Sequence, residues 1–206
     1  MLKIWGRPNS INVQKVMWTV SELGLEAERL DAGLEFGVVS EPWFKTYNPN
    51  RLVPTIDDDG FVLWESNVIV RYLAAKYSLG ELMPSETETR AAAEMWMDWQ
   101  QTAIMPGLGP LFVGMVRTAP DARNSDAIES APKKVEANMR MLDDHLAGKT
   151  YLMGERFTVA DIPLGCAGYR WYGLDIPRPD FPNLAAWYER LTARPEYATH
   201  VMLPLT

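Results

Sequence analysis

The chain has 206 residues, 47% of them hydrophobic and 23% charged, with a formal net charge of −7; this is enough apolar material for one large domain or two small ones, and the overall field repels a nucleic-acid phosphate backbone. One cysteine and two histidines exclude an internal disulfide framework and argue against a zinc site, so no metal is expected. No run of about 18 apolar residues offers a membrane span, and Met1 to Ser10 lacks the apolar core of a secretory signal, so the expected compartment is the cytoplasm.

Leu2-Lys3-Ile4-Trp5 reads as a short strand that enters the loop Gly6-Arg7-Pro8-Asn9. Val13, Val16, Met17, Val20 and Leu23 follow at helical steps, with Gly24 placed to terminate the helix. Ala27 to Asp31 is a second strand candidate, and Trp43, Phe44 and Tyr47 mark a partly helical patch in an irregular stretch. Val53 to Ile56 and Phe61 to Trp64 flank Asp57-Asp58-Asp59-Gly60, a strong hairpin signal. Ser66 is placed to cap a helix through Tyr77. The order β-α-β-irregular-β-β-α predicts a small mixed sheet, parallel across the first helix and antiparallel across the hairpin.

Ser78 to Thr87 is polar and turn-rich, and the domain boundary is placed there. The predicted division is residues 1–78, a linker over 79–87, and an all-helical domain over 88–206. A long helix is expected from Glu88 to Gln101, with Pro106, Gly107, Gly109 and Pro110 bending or breaking it before Leu111 to Arg117. Further helices are expected over Ala131 to Leu146, after Thr158, and over Leu184 to Leu191. Thr158-Val159-Ala160-Asp161 fits a capping box with Asp in place of Glu, and Phe157 and Ile162 occupy the staple positions.

Three segments could carry chemistry. Ser10 and Asn12 lie at a helix start, where free N–H groups and the helix dipole favour an anion such as a thiolate; the alternative is that either residue merely caps the helix. An Xaa-Pro bond at Val53-Pro54, if cis, exposes a backbone edge to which an extended peptide can pair. Glu65 and Ser66, at another helix start, suit the ammonium and carboxylate of an amino acid, or form an ordinary cap with a solvated acid. Together the three segments match what a small sulfur peptide requires.

Along nearly its whole length the chain resembles the cytosolic glutathione transferase superfamily. Ser10-Ile11-Asn12-Val13-Gln14-Lys15 is similar to the Ser/Thr-x-Asn-x-x-Lys pattern of bacterial members. Asn48-Pro49 with Val53-Pro54 resembles the Asn-Pro…Val-Pro element, whose second proline is cis. Glu65-Ser66-Asn67-Val68-Ile69 resembles the Glu-Ser-x-x-Ile segment, and Gly154 to Asp161 the capping motif of a later helix. The resemblance implies an α/β thioredoxin-like N-terminal domain that binds glutathione, followed by an all-α domain.

It further implies that Ser10 stabilises the glutathione thiolate, with Asn12 assisting or substituting. Val53 pairs with the cysteinyl part, Pro54 shapes that edge, Glu65 and Ser66 hold the γ-glutamyl end, and Asn67 helps from the helix start. Arg51 stands where many members carry glycine, and is a candidate for the glycyl carboxylate. Met105, Phe112, Met115 and Tyr169 are candidates for the pocket of a hydrophobic electrophile, with Trp171 and Tyr172 as weaker ones. The implied activity is conjugation of glutathione, as co-substrate, to that electrophile in detoxification; the alternatives are a glutathione-dependent peroxidase or disulfide reductase, and a non-catalytic binding protein on the same fold. A homodimer is expected, with the helix from Glu88 at its interface. Cys166 is expected to be a buried structural thiol.

Overall fold

In the computed structural model the backbone is described for residues 1–206, and side chains at all positions except 125–127, 129–132 and 134. Leu2 and Ile4 are buried and Lys3 is exposed, so β1 (Leu2–Trp5) presents one apolar face to the core. Helix α1 (Ile11–Glu22) follows. It ends in a Schellman motif: Gly24 has φ 61°, its N–H donates to Ser21 O at 3.0 Å, and the Leu25 N–H donates to Val20 O at 3.0 Å. Strand β2 (Ala27–Leu30) pairs parallel to β1. A 3₁₀ turn over Leu34–Phe36 and helix α2 (Pro42–Tyr47) occupy the irregular stretch. Strands β3 (Thr55–Asp58) and β4 (Phe61–Trp64) form the antiparallel hairpin. Asp59 and Gly60 both have positive φ, as a two-residue hairpin turn requires. The sheet order is β2-β1-β3-β4, the mixed sheet that the element order predicts.

Helix α3 (Ser66–Tyr77) closes this unit. Ser66 is its first residue, and the N-cap position belongs to Glu65, at φ 72°. The rest is helical: α4 (Thr87–Trp99), α5 (Met105–Phe112), α6 (Ser125–Leu146), α7 (Asp161–Gly173), α8 (Pro182–Thr192) and α9 (Pro195–His200). The Pro106–Pro110 segment does not break the helix. π-helical turns at Gln100–Ile104 and Val113–Arg117 flank α5 and keep the chain helical from Thr87 to Arg117. Wider turns of this kind accommodate residues that disturb the regular i→i−4 ladder, as proline does by lacking an N–H. Helix α6 starts six residues before the expected Ala131, and α9 was not anticipated. No helix among the described residues is long and apolar enough to cross a membrane.

Only half of the expected capping box forms: the N-cap of α7 is Ala160 rather than Thr158 and no side chain caps it, while Asp161 reaches back to the Thr158 N–H. The Asp161 carboxylate accepts the Thr158 N–H at 3.0 Å, the Leu152 N–H at 3.0 Å and the Trp187 indole N–H at 2.9 Å. It therefore ties three segments together as well as the start of α7. Burial pushes this carboxyl up to about 6, against the pull of those donors.

Helices α1 and α3 are buried on two sides. Val16, Val20, Ile69 and Leu73 pack on Leu2, Ile4 and Ile56 of the sheet, while Ile11, Trp18, Val70 and Ala74 join the core of the helical unit. Trp18 meets Tyr197 at 4.7 Å and Phe157 at 5.3 Å between ring centroids. Arg194 forks onto Glu22 at 2.5 and 2.7 Å. The seam between the sheet unit and the helices therefore runs along the length of α1 and α3, from Ile11 to Glu22 and over Val70 and Ala74, and reaches the N-terminal ends of both.

Candidate active site

A cleft of about 170 Å³ opens at that seam, lined by Asn12, Asn48, Asn50, Leu52, Val53, Pro54, Glu65, Ser66 and Gln101. Three separated segments singled out from the sequence thus meet in one place: the start of α1, the loop before β3, and the start of α3. The Val53–Pro54 peptide is cis. Glu65 turns the chain from β4 into α3 through a positive φ, a sparsely populated conformation for a non-glycine residue. This puts the first N–H groups of α3, which have no intrahelical partner, beside the cleft. No side chain caps α1 or α3, so two twelve-residue helices direct positive dipole ends at one cavity.

Among the predicted residues, Asn12, Val53, Pro54, Glu65 and Ser66 line the cleft. The Ser66 hydroxyl donates to Asn12 Oδ1 at 3.3 Å, which joins two of the segments directly. Ser10 is 93% buried at the N-cap of α1 and makes no capping hydrogen bond; it is not among the lining residues. Arg51 is exposed, with φ 54°, between Asn50 and Leu52 of the lining. Asn67 faces elsewhere: its Nδ2 donates to Met97 O in α4 at 2.7 Å, making it a link between the two units.

Several positions at or beside the cleft were not singled out for a role. Asn48 is 2% exposed and holds the cleft loop in shape. Its Nδ2 donates to Leu52 O at 2.9 Å and Thr55 Oγ at 3.0 Å, and its Oδ1 accepts the Asn50 N–H at 2.9 Å. The Asn-Pro pair was its only signal. Gln101, on the first π turn, brings the helical unit into the lining and carried no sequence signal. Lys15 belongs to the motif of α1, yet a buried lysine is not expected of a surface-helix pattern; it is fully buried, with Nζ 3.1 Å from Gln100 Oε1 and 3.5 Å from Ser66 Oγ.

The loop carrying Ser10 sits in a positive environment. Arg117 and Arg170 both donate to Asn9 O, at 3.3 and 3.5 Å, and both lie over the Phe112 ring, at 5.0 and 3.8 Å from its centroid. Burial, reinforced by repulsion from Arg117, pushes the Arg170 guanidinium down to about 10, and Arg7 is lowered by burial and by Arg117 in the same way. Cys166 is fully buried in α7, and burial pushes its thiol up to about 12; it is a packed, un-ionised thiol.

The four candidates for the electrophile pocket do not share one cavity. Met115 lines a space of about 530 Å³ with Ile128, Ile176 and Pro177, which has no lining residue in common with the Asn12 cleft. Phe112 is buried beneath the two guanidiniums, Met105 is half-buried, and the Tyr169 hydroxyl donates to Leu203 O at 2.7 Å.

Comparison with known proteins places this geometry. Residues 1–75 match the family described as glutathione S-transferase, N-terminal domain, and residues 103–195 match glutathione S-transferase, C-terminal domain. Glutathione S-transferase GstB of Escherichia coli K12 is 40% identical over 208 residues, covering 100% of both chains. Glutathione S-transferase 3 of Zea mays is 32% identical over 99% of this chain and 95% of its own. Among solved structures, the theta class glutathione S-transferase from Xanthomonas axonopodis pv. citri with glutathione bound superposes with a TM-score of 0.95 at 42% identity, covering 100% of this chain and 99% of that one. Its apo form gives 0.87 at 39% identity. With both family domains matched and full-length relatives at this identity, the chain belongs to the glutathione S-transferase family.

Proposed function

We propose that the cleft binds glutathione and ionises its thiol, which then attacks a hydrophobic electrophile held against the helices. The observation that carries this reading is the convergence of Asn12, Val53–Pro54 and Glu65–Ser66 on one cavity. In this reading the Val53 backbone pairs with the cysteinyl residue, Pro54 shapes the edge, and Glu65 and Ser66 hold the γ-glutamyl ammonium and carboxylate. Arg51 reaches the glycyl carboxylate. Asn67 contributes by fixing the start of α3 against α4.

The thiolate forms at the start of α1. Asn12 is assigned the direct donor because it lines the cleft, and Ser10 assists from the N-cap. A free thiol has a pKa of roughly 8.5, so its ionised fraction at neutral pH is small. Helix N-termini and neighbouring cations raise that fraction, and holding thiolate and electrophile together supplies the remaining acceleration. The Arg7, Arg117 and Arg170 guanidiniums beside the Asn9–Ser10 loop add to the field that favours an anion. The protein's one cysteine is sealed in α7, so the nucleophilic sulfur comes from the co-substrate. Of the four sequence candidates, Met105, Met115 and Tyr169 remain the proposed apolar contacts for the electrophile, while Phe112, 1% exposed beneath the two guanidiniums, supports that wall from behind.

A second reading, glutathione-dependent reduction of peroxides or disulfides, uses the same thiolate. It is favoured specifically by the position of Asn12, rather than Ser10, in the cleft wall. The division at residues 79–87, a cytoplasmic location and a homodimer complete the proposal. Exposed Val68 of α3 and Met95 of α4 offer apolar surface for the partner.

The test is retention on immobilised glutathione, followed by turnover with an activated aryl halide and with an organic hydroperoxide. Retention with aryl-halide turnover supports conjugation, and hydroperoxide turnover alone supports the second reading. A protein that is not retained on glutathione contradicts both.

A further inference from the structure

Lys15 has no part in the scheme above, yet its position needs an explanation. Its ammonium is fully buried in α1, and its two oxygen partners are Gln100 Oε1 at 3.1 Å and Ser66 Oγ at 3.5 Å. Neither is a carboxylate. Gln100 is itself fully buried, and its Nε2 has no hydrogen-bond partner. A buried cation that no carboxylate hydrogen-bonds, held by an amide whose other end is orphaned, opposes folding. Folding alone therefore gives no reason for the arrangement. Costly groups of this kind concentrate at functional sites.

The atoms around Lys15 form a chain leading to the cleft. The Lys15 ammonium faces the Ser66 oxygen. The Ser66 hydroxyl in turn donates to Asn12 Oδ1 at 3.3 Å. An amide has two ends of opposite polarity, and a nearby ammonium attracts the oxygen end and repels the NH₂ end. The cation thus selects the orientation in which Asn12 Oδ1 faces Ser66, leaving Nδ2 as the end available to a sulfur in the cleft. The separation of 3.5 Å from Ser66 Oγ is long for a hydrogen bond, so Lys15 acts on Ser66 and Asn12 mainly through its charge.

We propose that Lys15 is a positioning residue for glutathione activation: anchored on Gln100, its charge orients the Ser66 hydroxyl and through it the Asn12 amide, so that Asn12 Nδ2 donates to the glutathione thiolate. This deepens the glutathione reading and rests on it. The same charge lies behind both places where glutathione is negative, the thiolate at Asn12 and the γ-glutamyl carboxylate at Ser66. The other groups that face Lys15 are Glu65, at the start of α3, which favours its charge, Arg170 of α7, which opposes it, and Cys166 of α7, a neutral thiol at ordinary pH. Burial, the largest influence, pushes the Lys15 ammonium down to about 8, so it is charged at pH 7.

The experiment compares the full-length natural protein with Lys15→Met and Lys15→Arg. For each, glutathione binding is measured by calorimetry, the thiolate absorbance of bound glutathione is followed against pH, and kcat and KM are determined with an aryl halide. Lys15→Met fills the same volume without charge and is expected to fold. It should raise the apparent pKa of the bound thiol by about half a unit to one unit and lower kcat at neutral pH by about three- to tenfold. Lys15→Arg should restore most of both losses, since it returns the charge. In a Ser66→Ala background, Lys15→Met should shift the thiol pKa much less than in the natural protein, because the connection to Asn12 is already cut. An unchanged thiol pKa in Lys15→Met, or equal defects in Lys15→Met and Lys15→Arg, would overturn the proposal while leaving the glutathione reading intact. If the natural protein binds no glutathione, both fall together.

Discussion

The Ser66 hydroxyl and the Asn12 amide oxygen, 54 residues apart in sequence, meet at 3.3 Å across the cleft. That hydrogen bond joins the start of α3 to the start of α1, and with them the proposed amino-acid clamp to the proposed thiolate donor. Ser10 is nearer to Asn12 in the chain but has no such connection to the cleft.

The first prediction separates those two neighbours. Asn12→Ala removes a donor to a charged sulfur, an interaction worth about 1.5–3 kcal/mol, and kcat/KM for glutathione should fall by roughly ten- to a hundredfold. Ser10→Ala should cost clearly less, because Ser10 does not line the cleft. Steady-state kinetics on the two variants decide the matter, and a larger loss in Ser10→Ala reverses the assignment.

Substitutions at the other end of the cleft should act on binding. Glu65→Gln takes away a contact to the γ-glutamyl group that is equally strong before and during reaction. Loss of such uniform binding raises KM and leaves kcat nearly unchanged. An increase of about tenfold in KM for glutathione is expected for Glu65→Gln. Ser66→Ala should also lower kcat somewhat, since it removes the partner of Asn12 Oδ1.

Lys15 carries a stability prediction with a definite pH dependence. Its ordinary pKa is 10.5 and in the folded protein burial lowers it to about 8. The unfolded chain therefore holds this proton more tightly. The penalty for burying the charge is fully present below pH 8, fades between pH 8 and 10.5, and is absent above that range. Lys15→Met should accordingly stabilise the protein at pH 7, by about 1–4 kcal/mol, and the gain should shrink as pH rises to 10. Urea denaturation at the two pH values measures it. A gain in stability together with a loss of thiolate formation would be a direct trade between folding and function.

Asp161 differs in that its buried carboxyl oxygens are acceptors that the fold needs, although burial disfavours its charge too. Asp161→Ala strands the Leu152 and Thr158 N–H groups and the Trp187 indole. Each stranded buried donor costs about 1–3 kcal/mol, so a loss of at least about 3 kcal/mol is expected, visible as a lower urea midpoint. The Asn12 cleft lies elsewhere, so the folded fraction should keep its affinity for glutathione.

The sequence already carried the sheet unit and the segments that bound the cleft, because both rest on local signals. Asp59-Gly60 forces the hairpin, the spacing of Val13, Val16 and Val20 marks α1, and the Val53-Pro54 and Glu65-Ser66 pairs mark their turns. What escaped was set by packing between units. Lys15 carries only its place in the Ser-x-Asn-x-x-Lys pattern; it is buried because α1 is covered on two sides, by the sheet and by the helical unit. The Pro106–Pro110 segment is expected to bend or break the helix, but both prolines lie within α5, with π turns on either side at Gln100–Ile104 and Val113–Arg117. Gln101 enters the lining through the first of those turns, a register that no local pattern encodes. The side-chain direction of Asn67, toward Met97 O rather than the cleft, likewise depends on where α4 lies.

The measurement that bears most directly on the central claim is the thiolate absorbance of glutathione bound to the natural protein and to Asn12→Ala, followed from acid to alkaline pH. The account predicts that the bound thiol ionises at least about one unit below the free value of roughly 8.5, and that Asn12→Ala returns most of that shift. A bound thiol that titrates like free glutathione, or a shift that survives Asn12→Ala undiminished, would contradict it.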